Sequence, residues 1–173
     1  GMRIGEVLAL EKEDVNLKKK TITIARTLTR DENDKTILGT SGKTQNSTRT
    51  ITMNDTISKL INLALKNMGI NPYNLLFFDY KDSRFITPNE VNCYLKRLNH
   101  AHKICGNLHT HMLRHTYATR CIEAGMSAKV LQTKLGHKKI TTTLDTYASV
   151  FNDFQEAEDE KYNDYMLQNK ISI

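Results

Sequence analysis

The sequence predicts a mainly α domain of the α+β kind, with a small three-stranded antiparallel sheet near its N-terminus. Three observations carry that prediction. After residue 54, apolar residues recur at three- and four-residue spacing. Alternating β-branched stretches are confined to residues 20–53. Glycines stand where periodic stretches end, at Gly69, Gly125 and Gly136.

In chain order, Ile4, Val7, Leu8 and Leu10 mark the face of a short helix. A domain that opens in a helix's first turn leaves that face short of partners, so we expect a fragment cut at its first helices. Lys20–Ala25 alternates and reads as a strand, and Asp31–Asp34 as a polar turn. Thr36–Thr40 and Arg49–Met53 read as two further strands around the loop Ser41–Ser47, whose tip carries Lys43. Asn54 or Asp55 caps a helix with Ile57, Leu60, Ile61, Ala64, Leu65 and Met68 at helical spacing. Asn71-Pro72 is a turn and Leu75–Phe78 a short buried piece. Thr87-Pro88 opens a helix expected to bury Val91, Tyr94, Leu95 and Leu98. A threonine-capped helix runs from Thr110 to Ala124. Ser127 caps the next, with Val130, Leu131 and Leu135 inward. Ile140, Leu144, Tyr147, Ala148 and Phe151 lie along one further helical face. The tail forms a last helix with Phe154, Tyr162, Tyr165 and Met166 as its apolar residues.

At 173 residues the chain has room for one domain with a core. Charged residues at 25% and hydrophobic residues at 39% argue against disorder. No apolar run approaches the ~20 residues a bilayer span needs, and no signal peptide is visible. Three cysteines without a C-x-x-C pairing suit a reducing compartment. The net charge of +6 is uneven: residues 152–173 hold six acids against Lys161 and Lys170, so the body is more basic than the whole. A basic body with an acidic tail points to a polyanionic ligand, nucleic acid first.

Singly, the chemically capable residues have ordinary explanations. An arginine such as Arg114 is commonly a surface residue, and Tyr147 on an apolar face a core tyrosine. Lys43 reads as a solvated lysine and Glu6 as a solvated acid. His111 and His115 have the i, i+4 spacing of a zinc pair, but no glutamate stands between them and no paired cysteines accompany them. No metal site and no cofactor are assigned. His111 and Arg114 do share the first turn of a helix, where free N–H groups favour an anion.

The combination is more specific. G-M-R-I-G-E, G-K-T-Q-N-S-T-R-T-I, H-M-L-R-H-T, L-G-H and T-L-D-T-Y-A, in that order across residues 1–151, resemble the tyrosine recombinase (phage integrase) family. The resemblance implies that family's catalytic-domain fold over residues 1–151; residues 152–173 are an acidic tail, either a solvated charged helix or, as in related recombinases, a segment that docks on a neighbouring protomer. It implies Arg3 and Arg114 as the catalytic arginines, Lys43 as the hairpin lysine, and His111 and His137 as the two histidines. Tyr147 would be the nucleophile and Glu6 a supporting acid.

The implied function is site-specific recombination through a 3′-phosphotyrosine, serving a prophage or another mobile element. The alternatives are a chromosome-dimer resolvase of the same chemistry and a silent DNA-binding remnant. Expected partners are double-stranded attachment sites, further copies in a tetramer on DNA, and accessory directionality proteins; no membrane is involved. The cytoplasm, on the nucleoid, is the expected location. Arg49, Lys134, Lys138 and Lys139 are candidate phosphate contacts, which position DNA without reading its sequence.

Overall fold

A computed structural model describes residues 1–40 and 48–169, with side chains for all of these except 40, 152–158 and 160. The chain gathers into two compact units, Gly1–Arg114 and His115–Ile173.

The first unit opens with helix α1 (Ile4–Leu8) and a 3₁₀ turn at Lys12–Asp14. Strands β1 (Val15–Asn16), β2 (Thr21–Ile24), β3 (Arg26–Arg30), β4 (Thr36–Thr40) and β5 (Arg49–Thr52) follow. Then come helix α2 (Asp55–Asn67), the two-residue strands β6 (Phe78–Asp79) and β7 (Arg84–Phe85), and helix α3 (Pro88–His102). Helix α4 (Thr110–Glu123) starts in this unit.

The expected three-stranded antiparallel sheet is present, with a different membership. Its order is β1-β2-β5, and Ile22 lies opposite both Val15 and Ile51. Strand β4 pairs instead with β3, Leu38 facing Leu28, as a ribbon of its own. The polar turn at Asp31–Asp34 joins these two strands, as its composition requires. What the reading missed is β3, whose Arg-Thr-Leu-Thr-Arg alternation holds only one apolar residue.

Leu10, Ile22, Ile24, Met53, Ile61 and Leu76 form one core beneath the sheet. Leu8, Ala9 and Leu28 form a second, ringed by Ile4, Leu38, Phe77, Phe85 and Val91. Each large side chain removed from water there contributes about 1.5–3 kcal/mol. The apolar stripe of α2 is wider than its cover: Ile61 is buried, while Ile57 and Leu60 stay exposed. Helix α3 starts as expected, with Pro88 first and a reciprocal Thr87–Glu90 cap. It buries no residue fully, and Tyr94 is exposed rather than inward.

The second unit holds the rest of α4, then α5 (Ala128–Leu135), α6 (Ile140–Thr146) and α7 (Ala148–Gln168). Ala118, Cys121, Ile122, Leu131, Leu135 and Tyr147 make its core. Val130, read as inward, is exposed. The single helical face expected from Ile140 to Phe151 is broken. Tyr147 has φ −120° and ψ 21°, outside the helical range, and separates α6 from α7. In the tail Tyr162, Tyr165 and Leu167 are exposed.

Candidate functional site

The first unit supplies the arginines. Arg3 precedes α1 in extended backbone, and its amide donates to Glu6 Oε2 at 2.8 Å. That is half of a capping box, since a guanidinium has no acceptor with which to reciprocate. Glu6 is only 2% exposed. Arg49, on β5, grips it with two parallel bonds, Nη1 to Oε1 at 3.0 Å and Nη2 to Oε2 at 2.7 Å. Arg3 Nη1 adds a third at 3.2 Å while half of its side chain remains in solvent. Burial by itself would raise the Glu6 carboxyl. The Arg49 hydrogen bonds, the Arg3 amide and both guanidinium charges outweigh it and hold Glu6 below its ordinary value.

Gly5 explains how Glu6 comes so far in. A Cβ there would lie 2.7 Å from the Leu28 carbonyl oxygen and 2.7 Å from Thr27 Oγ1, so only glycine lets α1 settle this closely on β3.

Arg114 is 6% exposed, and its Nη1 donates to the carbonyl oxygen of Gly1 at 2.6 Å. His111, one turn earlier on α4, is exposed. Thr110 is the helix's first residue rather than its cap. Its amide donates to Asn92 Oδ1 at 2.9 Å, so α3 serves the start of α4.

The second unit supplies His137 and Tyr147. Gly136 ends α5 at φ 68°, ψ 40°, the left-handed conformation glycine tolerates best. The His137 amide turns back to the Gln132 carbonyl at 3.1 Å. The buried Gln132 side chain donates to the carbonyls of His137 and Lys138 at 3.0 and 3.4 Å. His137 Nδ1 lies 2.9 Å from Thr143 Oγ1. Four residues on, the Tyr147 amide donates to the Thr143 carbonyl at 3.2 Å. Tyr147 is 4% exposed, its ring edge-on to His115 at 5.6 Å between centroids.

Arg3 and Glu6 therefore come together in one unit; in the other, His137 and Tyr147 are each bonded to Thr143, one through its ring and one through its amide. Lys43 lies outside the described residues. Lys138 and Lys139 are exposed and Lys134 half-buried, while Arg49 is buried on Glu6, so a phosphate contact from it would require that pair to part. Sequence reasoning gave Arg49 no part in holding Glu6, and gave Gln132, Thr143 and Asn92 no role at all. The usable signal was Thr143 at i−4 from the tyrosine, the position whose carbonyl takes its amide. Among the described residues no three or more His, Cys, Asp or Glu are grouped as metal ligands would be, and no helix is long and apolar enough to cross a membrane.

Known proteins give these residues a context. The integrase of Staphylococcus phage L54a is 33% identical over 87% of this chain and 45% of its own length. The tyrosine recombinase XerA of Pyrococcus horikoshii is 30% identical over 83% of this chain and 44% of its own. The chain thus spans about half the length of the curated relatives it matches. Among solved structures, the Tn1549 transposon integrase in complex with circular intermediate DNA superposes with a TM-score of 0.77 at 29% identity, over 92% of this chain and 55% of that one. A crystal structure of XerA recombinase, at 21% identity and a TM-score of 0.64, shares the fold. Residues 1–153 match the phage integrase family, and the chain belongs to it.

Proposed function

We propose that this chain is the catalytic part of a site-specific DNA recombinase, serving a prophage or other mobile element, that breaks and rejoins strands through Tyr147. One observation of the geometry carries the reading. A carboxylate, Glu6, is buried behind a half-exposed arginine, and a second arginine is spent on holding it there. Burying an ion pair is costly and seldom improves stability. Here it anchors Arg3 while half of that side chain stays in solvent, where a phosphate would arrive.

The chemistry follows from the residue types. Phosphodiester oxygens take the planar forks of Arg3 and Arg114. A phenol of ordinary pKa near ~10 is a poor nucleophile at neutral pH, so the proton of Tyr147 must be taken as its oxygen attacks phosphorus. His111 or His137 accepts it. The bond from phosphorus to the 5′ oxygen breaks, and the Lys43 ammonium gives the departing oxygen its proton. The products are a 3′-phosphotyrosine and a free 5′ hydroxyl. Reversal by another 5′ hydroxyl reseals the strand with no nucleotide consumed. Tyr147 is packed away in this structure, so attack requires the phenol to leave the core of its unit.

Residues 1–151 would form the catalytic domain. The tail from 152 would dock through Tyr162, Tyr165 and Met166, with Phe154 outside the described side chains, on a second copy within a tetramer on DNA, in the cytoplasm with the nucleoid.

A trapping assay tests the reading. The chain is incubated with nicked duplexes carrying the element's attachment sites, in a chelating buffer, and run on a denaturing gel. A covalent protein–DNA band that Tyr147→Phe abolishes is expected. DNA binding without any such band would leave a silent DNA-binding remnant as the better description.

A further inference from the structure

The second unit contains a residue, the first of the T-L-D-T-Y-A motif, to which the chemistry above gives no part. Four threonines lie in or beside the turn before Tyr147: Thr141, Thr142, Thr143 and Thr146. Three are exposed, and Thr146 behaves as helix threonines usually do, its hydroxyl donating to the carbonyl four residues back at 2.6 Å. Thr143 alone is fully buried, at 0% exposure, and its hydroxyl meets a ring nitrogen, His137 Nδ1, at 2.9 Å. A buried hydroxyl with no partner is costly, so this contact also satisfies Thr143 itself.

We infer that Thr143 is the positioning residue of the His137–Tyr147 pair: its hydroxyl fixes the His137 ring while its carbonyl fixes the start of the break that carries Tyr147. The inference rests on the recombinase reading for its consequence in catalysis, but the contact stands on geometry. Gln132 holds His137 through its main chain and Thr143 holds it through Nδ1, so a proton exchanged with a substrate at Nδ1 would cost the ring that contact. A hydroxyl suits that task. It donates to Nδ1 when that nitrogen is bare and accepts from it when it carries a proton, so the ring keeps one partner in either state. A carboxylate in its place would hold only the protonated nitrogen.

The same threonine carbonyl takes the Tyr147 amide, the last bond of α6, and the Tyr147 carbonyl in turn accepts from Phe151 at 3.0 Å, the first bond of α7. Movement of the phenol about this break therefore pivots on the residue that holds the histidine.

Thr143→Val keeps the shape and removes the hydroxyl; Thr143→Ser keeps the hydroxyl and removes a methyl. Imidazole ¹⁵N spectra of the whole chain read His137 directly, with no need for DNA. Valine is expected to move the His137 nitrogen shifts toward the tautomer balance of a solvated histidine, and serine to leave them near wild type. In the trapping assay, valine slows single-turnover cleavage by about tenfold, the scale of one lost hydrogen bond, with DNA affinity unchanged and serine restoring the rate. Unaltered His137 shifts in folded Thr143→Val would overturn the inference and make Thr143 a packing residue. If valine prevents folding, the serine variant decides alone, and displaced His137 shifts in it count against the contact. Should wild type give no Tyr147-dependent adduct, the recombinase reading fails while the spectra still decide the contact.

Discussion

Glu6 and Glu90 occupy matching positions in very different surroundings. Each is the third residue of a helix, each takes the amide at the helix entry, and each is gripped by an arginine through two bonds. The Arg49–Glu6 side chains are 8% and 2% exposed; those of Arg84 and Glu90 are 44% and 43% exposed. Geometry is nearly the same, so burial is what separates them. At the surface, water competes for both charges and the pair adds little. Inside, the pair barely repays its desolvation, but removing one partner strands the other. The buried version makes a rigid seat for Arg3; the exposed one dresses the start of α3.

The largest break in that comparison is Arg49→Ala. It leaves Glu6 buried with only the half-exposed Arg3 beside it, and about 3 kcal/mol of stability should go at neutral pH, read from the urea midpoint. The pH dependence has a fixed sign. In the wild type the Glu6 carboxyl sits below its ordinary 4.5, so its ionic contribution is complete above that value and is lost as pH falls through the lower folded-state value. Without Arg49 the upward push of burial is less opposed. The gap between variant and wild type should therefore close as the medium is acidified well below 4.5. A variant loss no larger than that of an ordinary surface pair would mean that burial does not distinguish the two glutamates.

A smaller break comes through Gly5→Ala. The added methyl meets the Leu28 carbonyl at 2.7 Å, and main chain yields less readily than a side-chain tip. Helix α1 must lift from β3, costing about 1–3 kcal/mol. Because Glu6 rides on that helix, Arg3 should also lose its seat. Hydrogen exchange at the α1 amides would report it, and unchanged protection would show that the helix seats itself without the close approach.

Much of this was written locally. Asn54, Thr87-Pro88 and Ser127 announce helix starts because a cap is made by neighbours in sequence; Thr87-Pro88 and Ser127 cap as read, and of the two residues offered for the first helix it is Asn54 that caps. Gly136 followed by His137 reads as a left-handed stop for the same reason. The partner of Glu6 was not legible, since Arg49 lies 43 residues away across a strand pairing that local periodicity cannot see. The break at Tyr147 was hidden by apolar spacing that runs on unchanged through it, while the backbone does not. Strand β3 was hidden by its polar composition: it earns its place by pairing with β4 and by receiving Gly5, neither of which shows in its own five residues.

The smallest effect belongs to Glu90, and it is the sharpest test of what exposure does. Its carboxyl is held down at about 2, first by the Arg84 hydrogen bonds and then by the Thr87 amide and hydroxyl. A depressed acid stabilises the fold above its ordinary 4.5 and gives that contribution up as pH falls toward about 2. Because the pair is nearly half in water, screening keeps the contribution to stability far below what the size of the shift suggests. Arg84→Met should therefore return the Glu90 carboxyl toward 4.5 in a ¹³C titration while barely moving the urea midpoint at neutral pH. A midpoint that fell as far as it does for Arg49→Ala would mean that the bonds themselves, whatever their burial, set the worth of such a pair.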